Sequence, residues 1–146
     1  MNELMLKQAE EELVAALHAG GAELSLPLPF ERDIFLMGTD VVGTPYIENI
    51  DALYEALQEG DRVRLVREPD NPYDEYAIRI DAIPPEGGDA SRVALAQNCK
   101  LGYIPRSSNK VFARLLDAGK DLYGVVRHME KIKDYCRIVI KVYMRD

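Results

Sequence analysis

Residues 67–80 read Arg67-Glu68-Pro69-Asp70-Asn71-Pro72-Tyr73-Asp74-Glu75-Tyr76-Ala77-Ile78-Arg79-Ile80. Prolines, aspartates and an asparagine crowd into the stretch from Pro69 to Asp74, which is the composition of a stiff, tight turn. The polar–apolar alternation of Ala77-Ile78-Arg79-Ile80 predicts a half-buried strand leaving that turn, and Arg62-Val63-Arg64-Leu65-Val66 predicts its partner entering it. The turn carries an aromatic, Tyr73, at its tip. A ring held by a proline-stiffened loop loses little entropy when something stacks on it. Asn71 offers donors and acceptors and Asp74 acceptors alone, and a stacking face beside such groups suits a nucleotide. The plain structural reading stands next to it. There Tyr73 covers its own hairpin, Asn71 defines the turn, and Asp74 caps the start of the strand.

Working outward, the chain reads as short strands punctuated by two small helices. Ile34–Gly38 predicts a buried strand, continued by or paired with Val41–Gly43. Ile50–Glu59 predicts a helix with Asn49 as N-cap, Gly60 at its end, and Leu53 and Leu57 facing inward. Residues 84–90, rich in Pro and Gly, predict an exposed loop. Arg92–Ala96 and Lys100–Ile104 predict short strands, with Leu101 and Tyr103 on one face. Ser107 is the expected cap of a helix over Asn109–Ala118. Asp121–Met129 and Tyr135–Met144 complete the strands, joined by a solvated turn over 130–134 that includes Lys131 and Lys133. Residues 2–19 are rich in Ala, Leu, Glu and Gln, and an apolar stripe through Leu6, Leu13 and Leu17 predicts an amphipathic helix. That stripe would pack on its own domain or on a second chain. The expected organisation is a helical arm with a proline-containing connector over 1–29, followed by one domain over 30–146. The expected class is α+β and mainly β, a small OB-like or SH3-like barrel preceded by the N-terminal helix.

Three further motifs sharpen the reading. Gly43-Thr44-Pro45-Tyr46 and then Gly60-Asp61 precede the turn, and Leu101-Gly102-Tyr103-Ile104-Pro105-Arg106 lies downstream. In this order and spacing they strongly resemble the HIRAN domain, over roughly Phe30 to Met144. That module occurs alone in bacteria and elsewhere fused to chromatin-remodelling helicases and repair nucleases.

Composition excludes several classes. The chain has 146 residues, enough for one domain with a real core. No apolar run approaches a membrane span and no signal-peptide pattern opens the sequence, so a cytoplasmic protein is expected. Cys99, Cys136, His18 and His128 are too dispersed for a zinc pattern, and no metal or other cofactor is expected. There is no nucleophile elbow, Walker loop or dinucleotide fingerprint. Asp70 and Asp74 read as turn formers, and the chain is not expected to be an enzyme. Net charge is −7, unevenly spread. Residues 1–60 hold twelve acidic side chains against two basic ones, whereas from Lys100 onward eleven basic face five acidic. A modest basic face suits local recognition of a nucleic-acid end better than tight binding along a duplex.

The resemblance implies a pocket for the 3′ end of single-stranded DNA. Tyr46 matches the tyrosine that stacks on a base. Asn71, Tyr73 and Asp74 match the NPYD element, with Asp74 accepting from the terminal 3′-hydroxyl and Tyr73 closing the pocket. Tyr103 takes a pocket-facing position and Arg106 a phosphate-binding one. His128 falls near an aromatic stacking position on the penultimate strand. The DNA-binding eukaryotic members carry an arginine before the first pocket tyrosine and a tyrosine after it, where this chain has Pro45 and Ile47. The expected function is a non-catalytic module for single-stranded DNA ends in repair or fork processing, beside a separately encoded helicase or nuclease. The alternative is a protein-interaction module without DNA binding. The expected state is a monomer, or a weak homodimer through the N-terminal helix.

Overall fold

The computed structural model describes residues 32–84, 92–97 and 99–145. The expected N-terminal helix, its connector and most of the 84–90 loop lie outside these residues. Residues 33–145 fall within one compact unit.

Six strands form an antiparallel sheet: β1 Asp33–Asp40, β2 Arg62–Arg67, β3 Ile78–Ala82, β4 Lys100–Tyr103, β5 Asp121–Ile132 and β6 Tyr135–Arg145. Their spatial order is β1-β6-β5-β2-β3-β4. Past the end of β1, Val42 forms a single antiparallel bridge to Tyr103 of β4. The sheet is thereby curled into a half-barrel in which the segment after β1 meets the opposite edge strand, β4. Alternation decides which side faces in. Val63 and Leu65, Ile78 and Ile80, Val126, Ile138, Ile140 and Val142 are buried together on the inner face. Helix α1 (Ile50–Ala56) adds Leu53 and Ala56, with Leu57 just beyond its end. A short helical turn, α2 (Ala94–Gln97), adds Leu95, and α3 (Arg106–Asp117) adds Phe112 and Ala113. The mainly β α+β class matches the expectation from sequence.

Several local readings are corrected. Arg92–Ala96 is not a strand. One helical turn buries Leu95, and Arg92 is anchored to the Ala56 carbonyl at 3.0 Å and to Asp61. A four-residue apolar run fits a helical turn as well as a strand, and burial decides. Asn49 does precede α1, but in a left-handed conformation with no side-chain cap, and the helix stops at Ala56. Ser107 lies inside α3, which starts at Arg106 after an N-cap at Pro105. The β5–β6 turn is tighter than 130–134, with Ile132 opposite Tyr135 and Lys133 at φ 56°. Lys131 is not merely solvated, since its Nζ lies 3.3 Å from Asp51. Leu101 and Tyr103 do not share a face. A register shift against Ile80/Asp81 leaves Leu101 buried while Tyr103 pairs with Arg79.

Gly102 is what lets the half-barrel close. A Cβ there would stand 2.4 Å from the Val42 carbonyl oxygen and 2.8 Å from Val41 Cγ1. Its φ of 156° also disfavours a side chain. The backbones of β4 and of the segment after β1 therefore touch, with reciprocal N–H···O bonds of 2.9 Å between Val42 and Tyr103.

Candidate nucleic-acid interface

The turn between β2 and β3 is built as its composition requires. Asn71 Oδ1 accepts from the backbone N–H of Tyr73 at 2.9 Å and of Asp74 at 3.2 Å. The Asn71 amide donates to Glu68 Oε1 at 3.1 Å. Asp74 Oδ1 accepts from the Tyr76 N–H at 2.9 Å, which fixes the exit into β3. Tyr73 projects outward, 84 % exposed. The structural reading of Asn71 and Asp74 is thus present, and it serves to hold Tyr73 out.

The opposite wall is a one-turn 3-10 helix, Thr44–Tyr46, entered through Gly43 at φ 80°. Thr44 is buried and its hydroxyl donates to the Cys136 carbonyl at 3.1 Å, pinning this turn to β6. Tyr46 is left 91 % exposed. Ile47 turns the other way and packs against the core.

Between these walls lies an open cleft of about 840 Å³, floored by Val42, Ala77 and Ile104. Tyr46, Asn71, Tyr73, Asp74, Tyr103 and Arg106 all line it. The three sequence motifs therefore meet in space. His128 does not line the cleft. Its ring sits on β5 beside a register shift, 3.1 Å from Glu130 and 3.7 Å from Glu59, and those carboxylates occupy it.

Two residues that the sequence reading passed over organise the cleft. Asn109, 3 % exposed on α3, donates to Asp74 Oδ2 at 2.7 Å. Glu68, at the mouth of the turn, accepts from the Tyr103 hydroxyl at 2.8 Å and from Asn71, and pairs with Arg79 at 3.3 Å. Arg79 in turn grips Asp81 through two bonds of 2.7 and 2.9 Å. Burial pushes the Glu68 carboxyl up, but hydrogen bonds from Tyr103 and Asn71 and the Arg79 charge outweigh it and hold the carboxyl below its ordinary value. Glu68 thus ties the turn to the strand that carries Tyr103.

Arg106 opens α3 at the rim of the cleft. Its Nη2 donates to the Tyr73 carbonyl at 2.5 Å, and its Nε lies 3.7 Å from Asp74 Oδ2. The side chain is still 69 % exposed, so most of its donors face solvent. Asp74 has used one direction on each oxygen, and a carboxylate offers about four acceptor sites. An incoming hydroxyl can be accepted without displacing Tyr76 or Asn109. The cleft therefore combines two exposed aromatic faces, an apolar floor, a fixed carboxylate acceptor and a cation at the rim.

Residues 34–145 match the family model described as the HIRAN domain. Among solved structures, the chain is similar to a protein from Lactobacillus plantarum, with 31% identity and a TM-score of 0.63, over 77% of this chain and 95% of that one. It is also similar to the HIRAN domain of human HLTF, with 17% identity and a TM-score of 0.53, over 77% of this chain and 78% of that one. The latter is a likeness of fold. No curated protein matches the chain.

Proposed function

From the premise that this chain belongs to the HIRAN domain family, we propose that it is a non-catalytic module binding single-stranded DNA by its 3′ end in the cleft between Tyr46 and Tyr73. The observation that carries this reading is the pair of tyrosines, 91 % and 84 % exposed, held over an apolar floor by otherwise satisfied turns. Stacking on such faces tolerates any base. Arg106 meets the terminal phosphodiester, and Asp74 accepts the free 3′-hydroxyl. A 3′-phosphate would bring like charge to Asp74 and be disfavoured. Selection therefore falls on an unblocked end rather than on a sequence. A module of this kind would present ends to a separately encoded helicase or nuclease in repair or fork processing.

The test is fluorescence anisotropy with a short labelled oligothymidylate at low salt, comparing a 3′-hydroxyl with a 3′-phosphate. Preference for the hydroxyl, with binding weakened in Tyr46→Ala, supports the reading. Tyr46 is the variant to use because Asp74 also holds the turn and Asn109. Equal binding of both ends removes end recognition. Binding of neither leaves a protein-interaction module as the surviving reading.

A further inference from the structure

The exterior face of the half-barrel carries a second set of aromatic and basic side chains, none of which lines the cleft. One cross-strand row runs through all six strands, with Phe35 opposite Tyr143, Tyr143 opposite Tyr123, Tyr123 opposite Arg64, Arg64 opposite Asp81, and Asp81 opposite Lys100. The rings are in contact. Tyr123 and Tyr143 stack with centroids 5.5 Å apart and planes at 16°, and Phe35 meets Tyr143 edge-on at 5.6 Å. Cations lie over them, with the Arg62 guanidinium 4.6 Å from the Tyr123 centroid and Lys141 Nζ 5.8 Å from that of Phe35.

Cross-strand aromatic pairs stabilise a sheet, and that alone would account for three rings in a row. It does not account for the rest. Phe35, at the edge-strand end of the row, is 54 % exposed and shows a free face to solvent. Arg62, Arg64, Arg127 and Lys141 form no ion pair with any carboxylate among the described residues, although the chain as a whole is acidic. The nearby acids are already engaged. Asp33 takes the Tyr123 hydroxyl and Arg145, and Asp81 takes Arg79. Stackable rings flanked by cations that close no salt bridge, with Asp33 alone acting on Arg62 from a distance, are complementary to a flexible polyanion with flat bases. The same exterior face continues to the cleft through Arg79, which pairs with the cleft residue Tyr103. From β4 to Phe35 on β1 is five strand spacings, about 24 Å, a span that a strand of sixteen nucleotides crosses and one of four, held by its end in the cleft, does not.

We propose that this exterior face, centred on Phe35, Tyr143, Tyr123, Arg62 and Lys141, binds the body of a single strand whose 3′ end is held in the cleft. The proposal rests on the end-binding reading for the direction in which the strand runs. A base stacks on Phe35, and phosphates pass Arg62, Arg64 and Lys141. The acidic corner at Asp33 and Asp121 bounds the path on the other side.

The experiment uses the full chain with labelled dT4 and dT16 ending in 3′-hydroxyl, and dT16 ending in 3′-phosphate. Wild type is expected to bind dT16 about tenfold or more tighter than dT4. Phe35→Ala and the double variant Arg62→Gln/Lys141→Gln should bring dT16 down to the dT4 level and leave dT4 unchanged. The double variant should also flatten the dependence of log affinity on log salt by about 0.7 for each phosphate no longer neutralised, which a purely structural role of these side chains would not do. Thermal melts check folding, and Lys141→Gln alone serves if the double variant melts early. Equal affinity for dT4 and dT16, or variants that leave dT16 binding and its salt slope intact, overturns the proposal while the cleft keeps its reading. If dT4 fails to bind but 3′-phosphorylated dT16 binds through Phe35, the cleft reading falls and the face stands as a nucleic-acid site by itself. If no oligonucleotide binds, both fall.

Discussion

Asn109 of α3 and Asp74 of the β2–β3 turn are joined side chain to side chain at 2.7 Å, with the asparagine almost wholly buried. This bond locks the acceptor of the cleft to the helix that carries Arg106. Replacing the amide with a carboxylate in Asn109→Asp would set two like charges together in a confined place. The pair would then hold a proton with a raised pKa. We expect Asn109→Asp to lose about 3 kcal/mol at neutral pH and to recover as the pH falls through that raised value. Melting curves across pH check this.

Tyr46 and Tyr73 are exposed and support nothing beneath them. Tyr46→Ala and Tyr73→Ala should change stability by less than about 0.5 kcal/mol. Each should weaken DNA binding by about 1–3 kcal/mol, the worth of one stacked base. Chemical denaturation and anisotropy on the same preparations separate the two effects.

Glu68 carries a pH signature. Its carboxyl is held below the ordinary value in the folded protein, so the unfolded chain binds the proton more readily. The stabilisation is fully present above the ordinary glutamate range and is lost as pH falls through the folded value. Glu68→Gln should therefore melt below wild type at pH 7, with the gap closing in acid. The neutral amide accepts more weakly from Tyr103 and loses the ion pair with Arg79, so end binding should weaken at neutral pH in the same variant.

Gly102→Ala tests the closure. The added methyl would collide with the Val42 carbonyl at 2.4 Å, and backbone cannot swing aside as a flexible side chain would. A loss of roughly 2 kcal/mol or more is expected. It should be accompanied by loss of hydrogen-exchange protection at the Val42 and Tyr103 amides.

Pro45 immediately precedes the cleft residue Tyr46, at the position where the family resemblance implies an arginine in the DNA-binding eukaryotic members. It is exposed in the 3-10 turn. Pro45→Arg should raise affinity for single-stranded DNA by about tenfold and steepen its salt dependence. Ile47 is a different case, because it packs against the core. A tyrosine there would overfill the interior instead of restoring an aromatic wall.

Much of the β2–turn–β3 unit was legible because its signals are local. Alternation set the strands, proline and asparagine set the turn, and the outward Tyr73 followed. The meeting of Tyr46, Tyr73, Tyr103 and Arg106 in one cleft was legible only through the family resemblance that the motifs carry. What was misread has a common physical cause. Leu95 sits in an apolar run too short to show a period. The Leu101–Tyr103 alternation is broken by a bulge whose one signal is Gly102 between them. Asn109 looked like an ordinary helical residue, since its partner lies on a turn distant in sequence. His128 has aromatic character at a promising place, but Glu59 and Glu130 claim it. The Phe35–Tyr143–Tyr123 row depends on strand order, which alternation alone does not reveal.

That strand order has a consequence for how the molecule comes into being. Asp33 of β1 pairs with Arg145 of β6, and among the described residues β1 has no other ladder partner. During synthesis β1 must wait, with Phe35 and its backbone donors unpaired, until β6 has left the ribosome. Folding is then governed by contacts between distant parts of the chain, which are slow to form. A nascent chain stalled before β6 would have neither a closed sheet nor a fixed wall for the cleft, and its first strand would be open to pairing with a neighbouring chain.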